Sequence, residues 1–246
     1  MNQDSGPRSV MTRDDEVGEA GVPSRPAPAS RAAARFRVQG NAIVTGRAGD
    51  LSQAACRALL EHGLQGLMLF DLDPAGAAAA KVQSLQAEFP SARVRFAQVD
   101  VTDAAAVDEA VARAALELGS VDHLVALAGM VGCQHAVDTT PKEWNRILDV
   151  NTTGVFLCAQ GTGGSLTFIA SSSAHRVNYP QPQVAYNVSK AGVVALAKSL
   201  ADEWATHGIR VNSVSPGYMD TVLNEGIGLD VARNVWLSHN PMRRMG

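Results

Sequence analysis

Tyr186 and Lys190 stand four residues apart in the run Tyr186-Asn187-Val188-Ser189-Lys190, and Ser173 lies thirteen residues before the tyrosine. On a helix that four-residue spacing stacks phenol and ammonium on one face. A free phenol has a pKa of about 10 and exchanges protons poorly near neutrality. A cation fixed beside it favours phenolate and brings that value toward the working pH. A serine hydroxyl brought alongside can hold a carbonyl or alcohol oxygen while the phenol moves its proton. Such a trio performs proton transfer for redox chemistry at carbon, provided the chain also binds a hydride carrier. On an arbitrary helix the same pair is a packed tyrosine next to a solvated lysine, so the surrounding elements must decide.

From residue 38 onward, short apolar runs alternate with helical stretches. Strands are expected at 41–45, 67–71, 94–99, 121–128, 166–170 and 210–215. Helices are expected at 52–63, from Pro74, from the N-cap Asp103 to Leu118 before Gly119, and over 184–207 before Gly208. Another starts at the capping box Thr140-Pro141-Lys142-Glu143 and runs through Gln160. This alternation implies an α/β fold: a doubly wound, Rossmann-like parallel sheet in three layers. Ligands of such sheets bind beyond the carboxyl ends of the strands. The turn after Thr45, Asp71, Ala128-Gly129, Ser173 and Pro216-Gly217 all fall there.

The run Thr45-Gly46-Arg47-Ala48-Gly49 leads from the first strand directly into a helix. Glycine lets the backbone approach a pyrophosphate, and the helix N-terminus adds N–H donors and its dipole. Asp71 ends the second strand, where a carboxylate can accept from both adenosine ribose hydroxyls and repel a 2′-phosphate. That favours NAD over NADP; the other reading of Asp71 is a turn residue ahead of Asp73-Pro74. Arg47 is the residue of the turn that offers a counter-charge for a phosphate.

The 246 residues suffice for one sizeable domain, with 46% hydrophobic and 18% charged residues suiting an α/β core. A net charge of −3 leaves no electrostatic footprint for nucleic acid or an anionic membrane. No apolar run approaches the roughly 20 residues that span a bilayer. Cys56, Cys133 and Cys158, scattered and odd in number, point to reduced thiols and a cytoplasmic protein. The histidines do not gather with Cys or Asp at ligand spacing, so no metal site is expected. Residues 1–36 are rich in Pro, Ala, Ser, Gly and Arg without hydrophobic period and read as a disordered extension, leaving 37–246 as a single domain. Asp4, Asp14, Asp15, Glu16 and Glu19 count against a transit peptide. The sequons at Asn151 and Asn187 read as chance.

Over residues 38–246 these motifs, in this order, resemble the short-chain dehydrogenase/reductase family. The family's Tyr-x-x-x-Lys falls on Tyr186 and Lys190, its serine on Ser173, and the asparagine of its tetrad on Asn151 in Val150-Asn151-Thr152-Thr153-Gly154. Thr45, Gly46, Gly49 and Leu51 lie on the glycine turn, Asp100-Val101 on the adenine-contacting pair, and Ala128-Gly129 after the fourth strand. Pro216, Gly217 and Thr221 lie on the segment along the nicotinamide. The resemblance implies that Tyr186 is the general acid for ketone reduction and general base for alcohol oxidation. It implies that Lys190 lowers the phenol's pKa and binds nicotinamide ribose, that Ser173 orients the substrate oxygen, and that Asn151 holds a water leading from Lys190 to solvent.

The stretch Pro180-Gln181-Pro182-Gln183-Val184-Ala185-Tyr186 resembles that of fungal polyol and ketose reductases, while a natural-product ketone fits almost as well. His175, Arg176, Asn178, Tyr179 and Gln181 are candidates to line a polar pocket or, equally, a polar surface loop.

Four departures from the family pattern carry expectations of their own. Asp50 and Ser52 replace the second and third turn glycines, so Ser52 should crowd the helix–strand contact. Ala126-Leu127 replaces two amides after the fourth strand. The helix through Gln160 is cut at Gly161-Thr162-Gly163-Gly164, which should expose core and puts a homo-oligomer in question. The chain looks shortened after Gly246, without a seventh strand, so 210–215 should be an open edge and the lobe over 218–240 poorly anchored. The leading reading is an oxidoreductase interconverting a small-molecule secondary alcohol and ketone. The rival is a shortened nucleotide-binding relative without turnover.

Overall fold

A computed structural model describes residues 34–46, 49–73, 77–221 and 229–246. Arg47, Pro74 and nearly all of the extension expected to be disordered lie outside the described residues. By its internal contacts the chain divides into Met1–Phe36 and Arg37–Gly246, and the second unit carries every element below.

Six parallel strands form one sheet: β1 (Asn41–Thr45), β2 (Gly66–Asp71), β3 (Arg93–Gln98), β4 (His123–Ala126), β5 (Ser165–Ile169) and β6 (Arg210–Val214), in the order β3-β2-β1-β4-β5-β6. The helices are α1 (Asp50–Glu61), α2 (Ala77–Glu88), α3 (Ala104–Leu118), α4 (Pro141–Leu148), α5 (Gly154–Gln160), α6 (Val184–Glu203) and α7 (Asp230–His239). The α/β, doubly wound reading is therefore what the chain adopts. The reversal of strand order between β1 and β4 makes a crevice where ligands of such sheets bind.

The pleat sorts the core into two layers. Ile43, Met68, Phe70, Leu124 and Phe168 point to one face, where α3, α5 and α6 cover them. Ala42, Val44, Leu67 and Leu69 point to the other, against Cys56 and Leu60 of α1 and Val82 and Leu85 of α2. On α3, Val107, Ala110, Val111, Ala114 and Leu118 form the buried stripe, started by the Asp103 side chain on Ala105 N and Ala106 N and ended by left-handed Gly119. None of the helices is long and apolar enough to cross a membrane among the described residues.

Several boundaries differ from expectation. β4 is shorter than 121–128 because Asp122 is held by Asn41: its N–H donates to Asn41 O at 2.9 Å, and its Oδ2 accepts from Asn41 N at 2.9 Å. The long helix stops at Glu203, with a 3-10 turn over Ala205–His207 before left-handed Gly208. Cutting the helix at Gly161 does not open the core there. Leu166 and Phe168 stay fully buried, and Thr162 closes the helix end through Oγ1 on Cys158 O and Ala159 O.

Among the described residues β6 pairs only with β5 and buries only Val211, so it is an edge of the sheet they form. The lobe, expected to be loose, is docked where it is described. Trp236 is buried and stacks on Tyr218 at 4.3 Å, Arg233 pairs with Asp220 at 2.8 Å, and Asp220 N donates to Gly246 O at 2.9 Å.

Candidate active site

Because all six strands run in parallel, their carboxyl ends share one edge, and the expected site residues gather along it. Thr45 ends β1 buried, its Oγ1 accepting from Ala128 N at 3.2 Å. Gly46 follows with φ +111°, and a Cβ there would stand 2.5 Å from Ala128 N. Only glycine fits that turn, for conformation and for space alike. Gly49 caps α1, and Asp50 and Leu51 open it, so the first-turn N–H groups face the crevice end of β1. Ser52 fits rather than crowding: it is buried and its Oγ donates to Gly49 O at 3.0 Å.

Asp71 is buried at the end of β2, with Oδ1 accepting from Asp73 N at 3.2 Å. Asp100 is exposed, and its Oδ1 accepts from Thr102 N and Oγ1 at 2.9 and 2.8 Å; Val101 is buried against Gly154. Pro216 O accepts from Ser172 N at 2.8 Å and so ties the Pro216-Gly217 segment to the end of β5. Thr221 is described, and the segment after it is not.

Asn151 does not sit on a regular helix. A π-helical turn over Asp149–Thr153 separates α4 from α5 and carries its side chain to full burial. Its Nδ2 donates to Met130 O and to Ser189 Oγ, both at 2.9 Å, and its Oδ1 accepts from Met130 N at 2.8 Å. Both amide protons are thus committed to protein partners, and the side chain clamps the loop after β4 to α6. The water-holding role expected for Asn151 is left with a single carbonyl lone pair on this side chain.

On α6, Lys190 is buried and its Nζ donates to Ile169 O, at the end of β5, over 2.7 Å. It lies 5.8 Å from the centre of the Tyr186 ring, as the shared helix face requires. Burial lowers the Lys190 pKa from 10.5 to about 8. The Tyr186 pKa moves opposite to expectation: burial raises it, and the Ser171 hydroxyl, not the lysine, opposes that rise. Desolvation is the larger cause at Tyr186, and the lysine amine is held by the Ile169 carbonyl.

Sequence reasoning missed Ser171 and Ser189. Ser171 Oγ donates to Ser173 Oγ at 3.0 Å and accepts from Ser173 N at 3.1 Å. Ser189 Oγ donates to Tyr186 O at 2.7 Å while accepting from Asn151, joining three of the expected residues. The i,i+3 spacing of Ser189 from Tyr186 was the available signal; the Ser171-Ser172-Ser173 run offered three hydroxyls and no way to rank them.

Of the expected pocket residues, Asn178 turns inward, donating through Nδ2 to Gln183 Oε1 at 2.7 Å and accepting from Tyr218 Oη at 3.3 Å. His175, Arg176 and Tyr179 are exposed instead. His175 bonds Ser215 Oγ at 3.0 Å, and Arg176 lies over the Tyr218 ring at 5.9 Å.

The residues fit a dinucleotide. The Gly46 turn and α1 terminus suit a pyrophosphate, and Gly129 leaves open the place where a Cβ would meet Asn151 Oδ1 at 3.3 Å and Lys190 Nζ at 3.5 Å. No group of three or more His, Cys, Asp or Glu able to hold a metal occurs among the described residues.

Known proteins share this fold and much of this sequence. A family model described as enoyl-(acyl carrier protein) reductase matches residues 46–246. The NADP-dependent mannitol dehydrogenase of Alternaria alternata is 35% identical over 212 residues, covering 82% of this chain and 78% of that one. The NADH-dependent L-xylulose reductase of Ambrosiozyma monospora is 34% identical, covering 85% of this chain and 84% of that one. The crystal structure of a short-chain type dehydrogenase/reductase from Mycobacterium marinum superposes with a TM-score of 0.80 at 34% identity, over 86% of this chain and 85% of that one. The chain belongs to the short-chain dehydrogenase/reductase family, among oxidoreductases that use nicotinamide cofactors, and resembles its fungal polyol reductases.

Proposed function

We propose that this chain interconverts a secondary alcohol and a ketone on a small polyol or ketose, with Tyr186 as the group that gives and takes the proton. The observation that carries this is the convergence of the Tyr186 phenol, the buried Lys190 amine and the Ser171–Ser173 turn at the carboxyl end of β5. When bound, the nicotinamide supplies or accepts the hydride.

The protein's share is protonic and positional. Burial keeps the phenol protonated at neutral pH, which suits donation to a ketone oxygen. A serine hydroxyl of the turn, Ser173 by the family pattern, holds that oxygen. Lys190, with a pKa near 8, can reload the phenol or hold its anion, and Asn151 fixes α6 against the loop after β4. Thr45, Gly46, Gly49, Leu51, Ala128 and Gly129 shape the dinucleotide crevice, with Asp100, Val101, Pro216, Gly217 and Thr221 along its sides. Asp71 supports NAD over NADP, since a buried carboxylate at the end of β2 repels a 2′-phosphate. The relatives' substrates and the inward Asn178 amide support a hydroxyl-rich substrate.

The experiment is a screen of mannitol, arabinitol, galactitol and xylulose with NAD(H) and NADP(H), run on the parent and on Tyr186→Phe. Turnover by the parent that vanishes in the variant, with dinucleotide binding retained, supports the reading. Equal rates in both would remove Tyr186 from its role. Dinucleotide binding without turnover on any substrate favours the non-catalytic relative.

A further inference from the structure

We propose that Ser189 is a positioning residue whose hydroxyl ties the place of Tyr186 to the wall of the dinucleotide crevice. This rests on the dehydrogenase reading above and adds to it the part that sets proton donor against cofactor.

Three hydrogen bonds meet at this one residue, which is 1% exposed. Asn151 grips Met130, next to the Ala128-Gly129 wall, through the N–H and the carbonyl, and gives its other amide proton to Ser189 Oγ at 2.9 Å. Ser189 Oγ donates in turn to Tyr186 O at 2.7 Å. Thr152, the next residue of the π-helical turn, donates through Oγ1 to Ser189 O at 3.0 Å. Two consecutive residues of that turn therefore hold one residue of α6, by its hydroxyl and by its carbonyl. Gly192 lets the two segments approach: a Cβ there would stand 3.2 Å from Thr152 Cγ2.

The polarity of this relay has one solution. An amide nitrogen only donates and a backbone carbonyl only accepts. The Ser189 hydroxyl must therefore accept from Asn151 and send its proton to Tyr186 O. Alanine can do neither, and it leaves a buried amide proton unpaired.

The place of Ser189 in the chain gives the relay its effect. Tyr186 lies one turn before it and Lys190 directly after it. Lys190 Nζ on Ile169 O ties that turn to the sheet, whereas Ser189 ties it to the crevice wall. Without the hydroxyl, α6 keeps its contact with β5 and loses the bond that fixes Tyr186 relative to Met130. A shift of about 1 Å in a reacting group costs about 10²-fold in rate.

The first test measures kcat and NADH affinity in the full chain and in Ser189→Ala, Ser189→Thr and Tyr186→Phe. Ser189→Ala should lower kcat by about 10- to 10²-fold per folded molecule and leave NADH affinity within about twofold of the parent, because the Gly46 turn and Asp71 are untouched. Ser189→Thr keeps the hydroxyl and should recover most of that loss. A parent kcat in Ser189→Ala overturns the proposal. So does an equal loss of kcat and NADH affinity, which a merely structural role would produce, or a folded Ser189→Thr no faster than Ser189→Ala. Tyr186→Phe at the parent's rate would remove the dehydrogenase reading instead.

A second readout needs no turnover and decides the matter if the extra methyl of Ser189→Thr prevents folding. Amide hydrogen exchange reports local opening. Saturating NADH, lying against the Ala128-Gly129 wall, should slow exchange of the α6 amides around Tyr186 in the parent and clearly less in Ser189→Ala. Equal slowing in both, or none in a parent that binds NADH, overturns the link. A parent that binds no NADH removes the dehydrogenase reading, and the proposal with it.

Discussion

Lys190 Nζ donates to Ile169 O at 2.7 Å, so a buried amine on α6 answers to the carbonyl that ends β5 and not to a carboxylate. A carbonyl offsets only part of the desolvation of a cation, and the Lys190 pKa falls from 10.5 to about 8. The unfolded chain holds that proton up to the ordinary lysine value, while the folded chain loses it earlier. Stability therefore rises with pH between about 8 and 10.5, and the penalty is fully in force below that window. Lys190→Met should be more stable than the parent near neutrality by about 1–3 kcal/mol, net of the lost hydrogen bond. The gap should narrow as the pH approaches 10. Urea unfolding of both proteins at neutral and alkaline pH checks this. A variant less stable than the parent at neutral pH would show that the amine is not desolvated.

Asn151→Ala should do the opposite. It deletes bonds of 2.8 and 2.9 Å to Met130 N and O and one of 2.9 Å to Ser189, all from a fully buried side chain. Backbone groups left unpaired in a buried site cost about 1–3 kcal/mol each, so a loss of about 2–4 kcal/mol is expected. Dinucleotide affinity should fall as well, since Met130 adjoins the Ala128-Gly129 wall of the crevice. A denaturation midpoint unchanged from the parent would contradict the clamp.

These two residues also mark what was readable from the chain alone. The sheet was legible because β1 and β2 have apolar centres, Ala42-Ile43-Val44 and Leu67-Met68-Leu69-Phe70, and α3 was legible because Asp103, its five-residue buried stripe and Gly119 agree. Tyr186, Lys190 and Asn151 were legible as motif positions. Their present partners were not, because a contact such as Asn151 with Ser189 spans 38 residues and depends on a π-helical turn that no local signal announces. The direction of the Tyr186 shift was misjudged for the same reason. Sequence spacing shows that a cation is near, but only packing shows how much water both groups have lost. The lobe looked unanchored because Trp236 and Tyr218 meet by stacking across 18 residues, a pairing that neither period nor motif encodes.

Gly46→Ala tests the dinucleotide turn. At φ +111° an alanine is strained, and its Cβ would stand 2.5 Å from Ala128 N and 2.6 Å from Leu127 C, both backbone atoms. Neither can rotate away, so β1 and β4 would have to part at their carboxyl ends. A destabilisation of about 2 kcal/mol or more is expected, with a matching loss of NADH affinity read by fluorescence titration. Native stability in this variant would show that the turn adopts another conformation.

Asp71 is the residue on which cofactor choice turns, and its burial decides how it should be tested. Its Oδ1 accepts from Asp73 N at 3.2 Å, so a substitution that removes the oxygen disturbs the turn as well as the charge. Asp71→Asn keeps a carbonyl acceptor on the same planar frame and removes the charge, whereas Asp71→Ser removes the charge and leaves a shorter, weaker hydroxyl acceptor. If repulsion of a 2′-phosphate sets the preference, the NADPH-to-NADH ratio of kcat/KM should rise by about tenfold or more in Asp71→Asn, equivalent to about 1.4 kcal/mol. Asp71→Ser should show the same ratio change with an added loss of affinity for both cofactors, since the turn is loosened. Should the asparagine variant keep the parent's ratio while the serine variant shifts it, the geometry of the turn, and not the carboxylate's charge, would be what discriminates. A parent that already prefers NADPH, as the name of the Alternaria relative suggests for that protein, would remove Asp71 from cofactor selection.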